Sequence, residues 1–142
     1  DALAFEPDII SILIGINDVW HKLDSKNGVD AAKFEMVYDL MVSELKAALP
    51  DLKIMIMEPF LIPVEDKLFF RTDLAPKIEI IRKLAREYAD VYMPCDGLLC
   101  SAFIGDDPLS FAADGVHPTA KGAEFIGKLY ADYIGKLVEM QN

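Results

Sequence analysis

The amino-acid sequence predicts an α/β fold, a three-layer α/β/α sandwich in which helices cover both faces of a parallel sheet. Three short apolar runs, at 8–14, 53–57 and 90–94, are typical of strands that are buried on both faces. Longer segments with apolar residues at helical spacing alternate with these runs. This alternation is the pattern of a parallel sheet joined by right-handed crossovers. The length of 142 residues favours a single domain, 1–142.

The first half of the chain begins with a strand and continues into one long helix. The strand at 8–14 ends at Gly15, and the polar residues that follow it, 15–29, predict a loop. Helical spacing of apolar residues starts near Asp30, which is the predicted N-cap of the helix. Pro50 marks the predicted end of that helix.

The second half of the chain contains a long connection between its first strand and its first helix. Residues 59–73 include prolines and show no sustained period, and loops of this length in compact domains often carry function. Asp73 is the predicted N-cap of the helix that follows. Beyond the third strand, residues 95–113 predict an irregular stretch with room for one short helix. The last helix is predicted to begin near Thr119.

Composition limits the kinds of partner that the protein can bind. The net charge is −10 and the pI is about 4.5. No cluster of Lys or Arg provides the basic surface that nucleic acids and anionic membranes need, so neither is an expected partner. No apolar run approaches the roughly 20 residues of a membrane span. The two cysteines, Cys95 and Cys100, are predicted to be partly buried thiols, with a disulfide or a zinc site as less favoured alternatives.

Asp114 and His117 lie three residues apart in a short segment that leads into the last helix. A carboxylate that holds one imidazole nitrogen fixes the tautomer and leaves the other nitrogen free to act as a base. Gly115 allows a tight turn between them, and Pro118 disfavours the α conformation for His117. The same spacing suits a capping aspartate beside a surface histidine, so the pair alone does not decide between the two interpretations.

The segment Gly15-Ile16-Asn17-Asp18 directly follows a buried strand. A side-chain N–H of Asn17 can donate to an oxyanion beyond the carboxyl end of the sheet. Gly15 allows substrate or another backbone to approach closely. In the alternative interpretation, Asn17 and Asp18 only cap turns. Because this segment and the Asp114 segment both follow strand ends, they are expected to share one rim of the sheet.

Trp20 and His21 follow this motif and are predicted to line an acyl or sugar pocket, or else to be a partly buried aromatic beside a solvated histidine. A metal site formed by Asp18, His21, Asp114 and His117 is disfavoured, because its ligands lack suitable spacing within any one element. The long connection carries further apolar side chains that suit either substrate contacts or the edge of the core: Phe60, Leu61, Phe69 and Phe70.

Together, in this order and on a parallel sheet, the two motifs resemble the SGNH (GDSL-type) esterase and lipase family. A G-x-N-D segment after a strand is followed about 100 residues later by D-G-x-H-P before the last helix. The resemblance covers the chain as the C-terminal two-thirds of a flavodoxin-like SGNH domain. It implies that Asn17 donates to the oxyanion, and that Asp114 and His117 belong to a Ser-His-Asp triad.

The family's nucleophile motif, G-D-S, is absent from the sequence. Ser11 is expected inside a buried strand, and the other serines also occur in different contexts: Ser25, Ser43, Ser101 and Ser110. We therefore expect the domain to be incomplete at its N-terminus, with roughly 60–80 residues missing on ordinary element lengths. The family's first strand would lie beside the strand at 8–14. An N-terminal segment or a second chain is thus expected to pair with that strand.

The resemblance implies an esterase that hydrolyses a small acyl ester through a serine acyl-enzyme, without a cofactor. Acetylated carbohydrates, short-chain esters and lysophospholipids are the substrates that it suggests, and the 142-residue chain alone is expected to be inactive. The alternatives are a non-catalytic α/β binding or interaction module and a metal-dependent hydrolase. Low cysteine usage favours a cytoplasmic protein, whereas a signal peptide in the missing segment would make it a secreted one.

Overall fold

The computed structural model describes residues 2–140 and contains a parallel sheet with the strand order β1–β2–β3. The strands are β1 (Ile9–Leu13), β2 (Lys53–Met57) and β3 (Val91–Met93). Parallel pairing places Ile12 of β1 opposite Ile56 of β2, and β2 pairs in turn with β3. All of the predicted strands are thus confirmed, and β2 is the central one.

Helices cover both faces of this sheet, which confirms the three-layer sandwich. The α-helices are α1 (Ile16–Asp24), α2 (Ala31–Ala48), α3 (Phe70–Tyr88), α4 (Cys95–Ala102) and α5 (Ala120–Glu139). Along β2, Ile54 and Ile56 face a core formed with α2 and α3, whereas Met55 and Met57 face a core formed with α4 and α5. Alternate side chains of a strand point to opposite faces, so β2 anchors both helical layers. Within residues 2–140, no helix combines the length and the apolar character that crossing a membrane requires.

The N-termini of α2 and α5 are fixed by capping side chains. Asp30 accepts a hydrogen bond from the backbone N–H of Lys33 at 2.8 Å, as predicted for the cap of α2. Thr119 caps α5 and accepts from the N–H of Gly122 at 3.2 Å. Each cap satisfies a backbone donor that the first helical turn leaves without an intrahelical partner. The predicted starts of both helices are confirmed.

The loop predicted at 15–29 is wrong over most of its length, because α1 begins at Ile16. Val19 of α1 is fully buried. It packs in a cluster with side chains from α3 and from two loops: Leu61, Phe70, Leu74, Ile78 and Val116. Ile16 and Trp20 pack against the same cluster. These three positions give the otherwise polar segment an apolar stripe at helical spacing, and burial of that stripe stabilises the helix.

The predicted cap of α3 is also wrong, because α3 begins at Phe70, three residues before Asp73. Asp73 lies in the first turn of α3, and its carboxylate forms an ion pair with Lys22 of α1. An acidic group in the first turn also suits the positive end of the helix dipole. Asp73 therefore joins α1 to α3 and does not set the helix boundary.

The short helix that was allowed for within 95–113 is confirmed as α4, and a 3-10 turn at Pro108–Ser110 makes the rest of the stretch less irregular than predicted. Cys95 is buried, Cys100 is exposed, and both are free thiols. Burial raises the pKa of the Cys95 thiol to about 12, and the nearby charge of Glu58 acts in the same direction. Cys95 is therefore a neutral packing residue at physiological pH.

Within residues 2–140, β1 is an edge strand that pairs with β2 alone. The prediction that Ser11 lies in a buried strand is wrong, since Ser11 is exposed and its hydroxyl lies 3.2 Å from that of Tyr130. Leu13 and Ile14 at the end of the strand are exposed as well. An apolar strand with one unpaired edge is a surface on which a further strand can add.

Candidate functional site

His117 lies in a loop just before α5, and the carboxylate of Asp114 holds its imidazole. Nδ1 lies 2.7 Å from Oδ2 of Asp114, and the backbone N–H of His117 donates to Oδ1 at 2.8 Å. The backbone N–H of Val116 donates to Oδ1 at 3.0 Å. Burial raises the pKa of Asp114, but these hydrogen bonds outweigh burial and hold that pKa well below its usual range. The ionised carboxylate fixes Nδ1 as the donor and leaves Nε2 free to accept a proton.

Gly115 shapes the loop between these two side chains. Its φ is +84°, a conformation that side chains rarely adopt. A Cβ at this position would lie 2.9 Å from Cγ2 of Val64 and 3.0 Å from the carbonyl oxygen of Ile62. The N–H of Ile62 also donates to the carbonyl of Gly115 at 2.9 Å. The loop therefore packs closely on the connection after β2, and only glycine fits at the contact.

That connection is itself held by a pair of charged side chains. Arg71 of α3 donates to the carbonyl of Leu61 at 2.6 Å and to the carboxylate of Asp96 at 2.7 Å. Asp96 accepts from the N–H of Leu61 at 3.1 Å. Both backbone groups of Leu61 are thus paired, which fixes the segment on which the Asp114–His117 loop rests.

Asn17 lies in the first turn of α1, just beyond the carboxyl end of β1. Gly15, the residue before α1, has a φ of +124°, which glycine adopts readily. A Cβ on Gly15 would also lie 3.3 Å from Pro59 and 3.4 Å from Phe34. The tight turn that brings Asn17 to the helix N-terminus therefore depends on glycine. The partial positive charge at that terminus favours a developing negative charge nearby.

Asn17 and His117 line one cavity of about 270 Å³. They are its polar lining residues. The others are apolar and come from the end of β1, the start of α1, the connection after β2, the histidine loop and α5: Leu13, Ile14, Ile16, Pro59, Phe60, Val116, Pro118 and Ile126. A few polar groups converging in apolar surroundings are typical of a small-molecule site. The structure thus brings together the amide and the imidazole that the two sequence motifs singled out.

Trp20 also reaches His117, whereas its neighbour His21 does not. The Trp20 and His117 ring centroids are 5.8 Å apart, with a tilt of 56° between the planes. Trp20 in turn rests edge-on against Phe70 at 5.8 Å. His21 is exposed on α1 and is not among the side chains that line the cavity. In the part of the chain that the structure describes, no three His, Cys, Asp or Glu side chains converge to hold a metal ion.

A second carboxylate, Glu58, is a structural feature that sequence reasoning missed. It follows β2, is 0% exposed, and accepts from Arg82 Nε and from the Tyr92 hydroxyl, both at 2.8 Å. The backbone N–H groups of Asp96 and Gly97, in the first turn of α4, donate to its other oxygen at 3.1 and 3.4 Å. Glu58 therefore ties α3, β3 and α4 to the end of β2. A charged residue directly after a buried strand was the one signal in the sequence.

Comparison with known proteins identifies the family of the chain. The model of the GDSL-like lipase/acylhydrolase family matches residues 1–125. An acetylxylan esterase from Geobacillus stearothermophilus is 26% identical over 139 residues, which are 95% of this chain and 63% of that protein. Two solved variants of that esterase, with one serine or one histidine replaced by alanine, are described as catalytic mutants.

Solved structures share the fold of this chain. A protein from Parabacteroides merdae described as a GDSL-like lipase is 27% identical, with a TM-score of 0.84 over 93% of this chain and 62% of that chain. The structure of the Geobacillus acetylxylan esterase gives a TM-score of 0.83 over 95% of this chain. The chain therefore spans less than two-thirds of the length of these relatives. Since the family model covers most of the sequence and the folds agree, the chain belongs to the GDSL-like lipase/acylhydrolase family.

Proposed function

We propose that the protein hydrolyses esters through a Ser-His-Asp triad in which His117 is the base and Asp114 orients it. The observation that carries this proposal is the 2.7 Å contact between His117 Nδ1 and Asp114, beside a cavity that Asn17 also lines. A non-catalytic module has no need of an ionised carboxylate that leaves an imidazole nitrogen free at a cavity. The catalytic serine and histidine variants of the Geobacillus esterase support the same chemistry.

In the proposed reaction, Nε2 of His117 removes the proton of a serine hydroxyl as that oxygen attacks the ester carbonyl. Asp114 keeps its charge and stabilises the imidazolium that forms. A side-chain N–H of Asn17 donates to the oxyanion at the positive end of α1. His117 then passes its proton to the leaving alcohol, and water hydrolyses the acyl-serine with His117 again acting as the base.

We propose a small acyl group, such as acetyl on a carbohydrate, as the acid part of the substrate. The acetylxylan esterase that is similar over 95% of this chain supports an acetyl group. Pro59 and Phe60 lie in the same cavity lining as Asn17 and His117, and these apolar side chains suit the methyl of an acetyl group. Other short-chain esters fit the same description.

We propose that the nucleophilic serine belongs to a segment outside residues 1–142, and that this segment pairs with β1. In support, β1 has an unpaired edge within the described residues, and Leu13 and Ile14 beside it are exposed. The carboxyl ends of parallel strands lie at one edge of a sheet, so a strand added there would end next to Asn17 and His117. The same polypeptide or a second chain can supply this strand.

Hydrolysis of p-nitrophenyl acetate by the protein expressed from its complete reading frame tests the proposed function. We expect turnover by the wild type and a loss of about 10³-fold or more in kcat for His117→Ala, since a triad without its base retains only residual catalysis. The side chain of His117 is 75% exposed, so the variant should fold, which circular dichroism checks. His21→Ala, at the other histidine, is the matched control and should remain active. An inactive wild type, or a fully active His117→Ala variant, would contradict the triad.

The same assay on residues 1–142 alone tests where the nucleophile lies. We expect no turnover by this chain, because the proposal places the serine elsewhere. Turnover that His117→Ala abolishes would instead show that the nucleophile lies within these residues. That result would contradict the proposed position of the serine while leaving the roles of His117 and Asp114 in place.

A further inference from the structure

A second cavity, of about 260 Å³, lies beside Trp20 at the edge of the proposed active site. Its lining side chains come from α1, from the short turn at Glu65–Lys67 and from the start of α3: Trp20, Leu23, Asp66, Lys67, Phe69 and Phe70. We propose that this cavity binds one neutral sugar ring in the alcohol part of the ester. The inference rests on the proposed function and extends it from the acyl side of the substrate to the alcohol side.

Trp20 connects this cavity with the proposed reaction centre. Its ring centroid lies 5.8 Å from that of His117, and the same indole lines the second cavity. In the proposed reaction His117 returns a proton to the leaving alcohol, so the alcohol oxygen must lie next to the imidazole. A ring attached to that oxygen then extends along Trp20 into the second cavity.

Phe69 supplies an aromatic surface that is fixed in position and open to a ligand. Its side chain is 57% exposed, and its ring packs edge-on against the buried Phe70 at 4.9 Å. Leu23, which also lines the cavity, is exposed as well, so two large apolar side chains face solvent at this cavity. The C–H face of a sugar ring can pack on such a surface, because it is the apolar side of an otherwise polar ligand.

Lys67 and Asp66 flank the aromatic surface with the groups that sugar hydroxyls require. The ammonium nitrogen of Lys67 lies 4.8 Å from the centroid of the Trp20 ring, which attracts the charge and limits its movement. The ammonium group can donate hydrogen bonds to a ligand, and the carboxylate of Asp66 can accept hydrogen bonds from a ligand. Hydroxyl groups both donate and accept, so this pair can bind a polyol.

The charge of the cavity and of the whole chain favours a neutral ring over an anionic one. The chain carries a net charge of −10, and among the six lining side chains Asp66 offsets the single cation, Lys67. A phosphate or uronate would meet this carboxylate and the negative field of the protein. The volume of about 260 Å³ lies below the roughly 300–1,000 Å³ of pockets for drug-sized ligands, which suits one sugar ring.

Calorimetric titration of the protein from the complete reading frame with an unacetylated xylo-oligosaccharide tests the inference without requiring catalysis. We expect binding by the wild type and a three- to tenfold loss of affinity, approximately, for Phe69→Ala, which removes the ring contact. Lys67→Met keeps the apolar stem and should weaken binding by removing the donor. Leu68→Ala is the matched control, because Leu68 is exposed between these two residues but does not line the cavity. It should bind as the wild type does.

Steady-state kinetics then separate this inference from the proposed function. The readout is the ratio of kcat/KM for an acetylated xylo-oligosaccharide to kcat/KM for p-nitrophenyl acetate, whose alcohol part carries no sugar. Phe69→Ala should lower this ratio by roughly three- to tenfold, mainly through KM, and Leu68→Ala should not change it. If p-nitrophenyl acetate is hydrolysed but the oligosaccharide binds equally to Phe69→Ala or not at all, the sugar site is overturned and the esterase stands. If no ester is hydrolysed, the esterase fails, while binding that depends on Phe69 still supports the sugar site.

Discussion

Asp114 and Glu58 are both carboxylates that accept several hydrogen bonds, yet they differ in exposure and in the origin of their partners. The side chain of Asp114 is 39% exposed, and its donors lie two and three residues along the chain. The side chain of Glu58 is 0% exposed, and its side-chain donors, Arg82 and Tyr92, lie 24 and 34 residues away. One carboxylate organises a loop at the surface, and the other joins three elements of the fold.

Because of this difference, we expect Asp114 to orient a side chain and Glu58 to stabilise the fold. The hydrogen bonds of Asp114 order its loop and orient one exposed imidazole, which is the proposed base. The hydrogen bonds of Glu58 satisfy a charge removed from water, which would be costly if it were left unpaired. Removing the first carboxylate should therefore change the chemistry, and removing the second should change the free energy of unfolding.

The largest effect is expected for Asp114→Asn. An amide cannot stabilise the imidazolium as a carboxylate does and can favour the wrong imidazole tautomer, so kcat for p-nitrophenyl acetate should fall by about 10³–10⁴-fold. The free energy of unfolding in urea should change by less than about 1 kcal/mol, because solvent screens this partly exposed group. Asp106→Asn is the matched control, since Asp106 also lies in the region before α5 and accepts from Lys121 and from a backbone N–H. A similar loss of activity in both variants would show that any carboxylate in this region matters equally.

The Asp114–His117 pair could be identified from sequence because all of its parts lie in one segment. The carboxylate, the glycine turn, the histidine and the start of α5 follow one another, and the hydrogen bonds between them are local. The short apolar runs of the sheet were predictable for the same reason. The contact of Gly115 with Ile62 and Val64 was not, because those residues belong to a different part of the chain.

α1 and Glu58 were missed for one physical reason, which is that their partners are distant in sequence. The polar composition of the α1 segment favours a loop, although Ile16, Val19 and Trp20 have helical spacing that was a usable signal. What buries Val19 is a cluster formed largely by α3. Likewise, nothing near Glu58 in the sequence indicates that Arg82 of α3 forms a hydrogen bond with it.

The second-largest effect is expected for Glu58→Gln, measured by urea unfolding followed with far-ultraviolet circular dichroism. The free energy of unfolding should fall by about 2–3 kcal/mol, because the variant leaves buried donors poorly matched. This decrease in the free energy of unfolding should be smaller than for a fully buried ion pair, since Arg82 is partly exposed and can reach water. The folded fraction should still hydrolyse p-nitrophenyl acetate.

Glu79→Gln is the control for this change, because Glu79 pairs with the same guanidinium at 2.6 Å but is 70% exposed. The Glu79→Gln substitution should lower the free energy of unfolding by less than about 0.5 kcal/mol. If the two variants are equally destabilised, burial is not what distinguishes Glu58, and the contrast with Asp114 fails.

The smallest effect concerns the pH at which Asp114 contributes to stability. Burial raises the pKa of Asp114, but the hydrogen bonds from His117 and Val116 lower it by more than burial raises it. The folded pKa of Asp114 therefore lies below the unfolded value of about 3.9. Its contribution to the free energy of unfolding is therefore fully present above about pH 5 and is lost as the pH falls through the folded pKa. Between pH 5 and 8, protonation of Asp114 should not affect either stability or activity.

His117→Ala sharpens this prediction, because it removes the side-chain hydrogen bond and keeps the two backbone donors of Asp114. The pKa of Asp114 should then rise towards about 3.9 while remaining below it. Titration of the labelled Asp114 carboxyl carbon by NMR measures both values directly. If the pKa is the same in both proteins, the backbone N–H groups alone hold the carboxylate. Asp114 would then be a loop cap of the same kind as Asp30, and the histidine beside it would not be its partner.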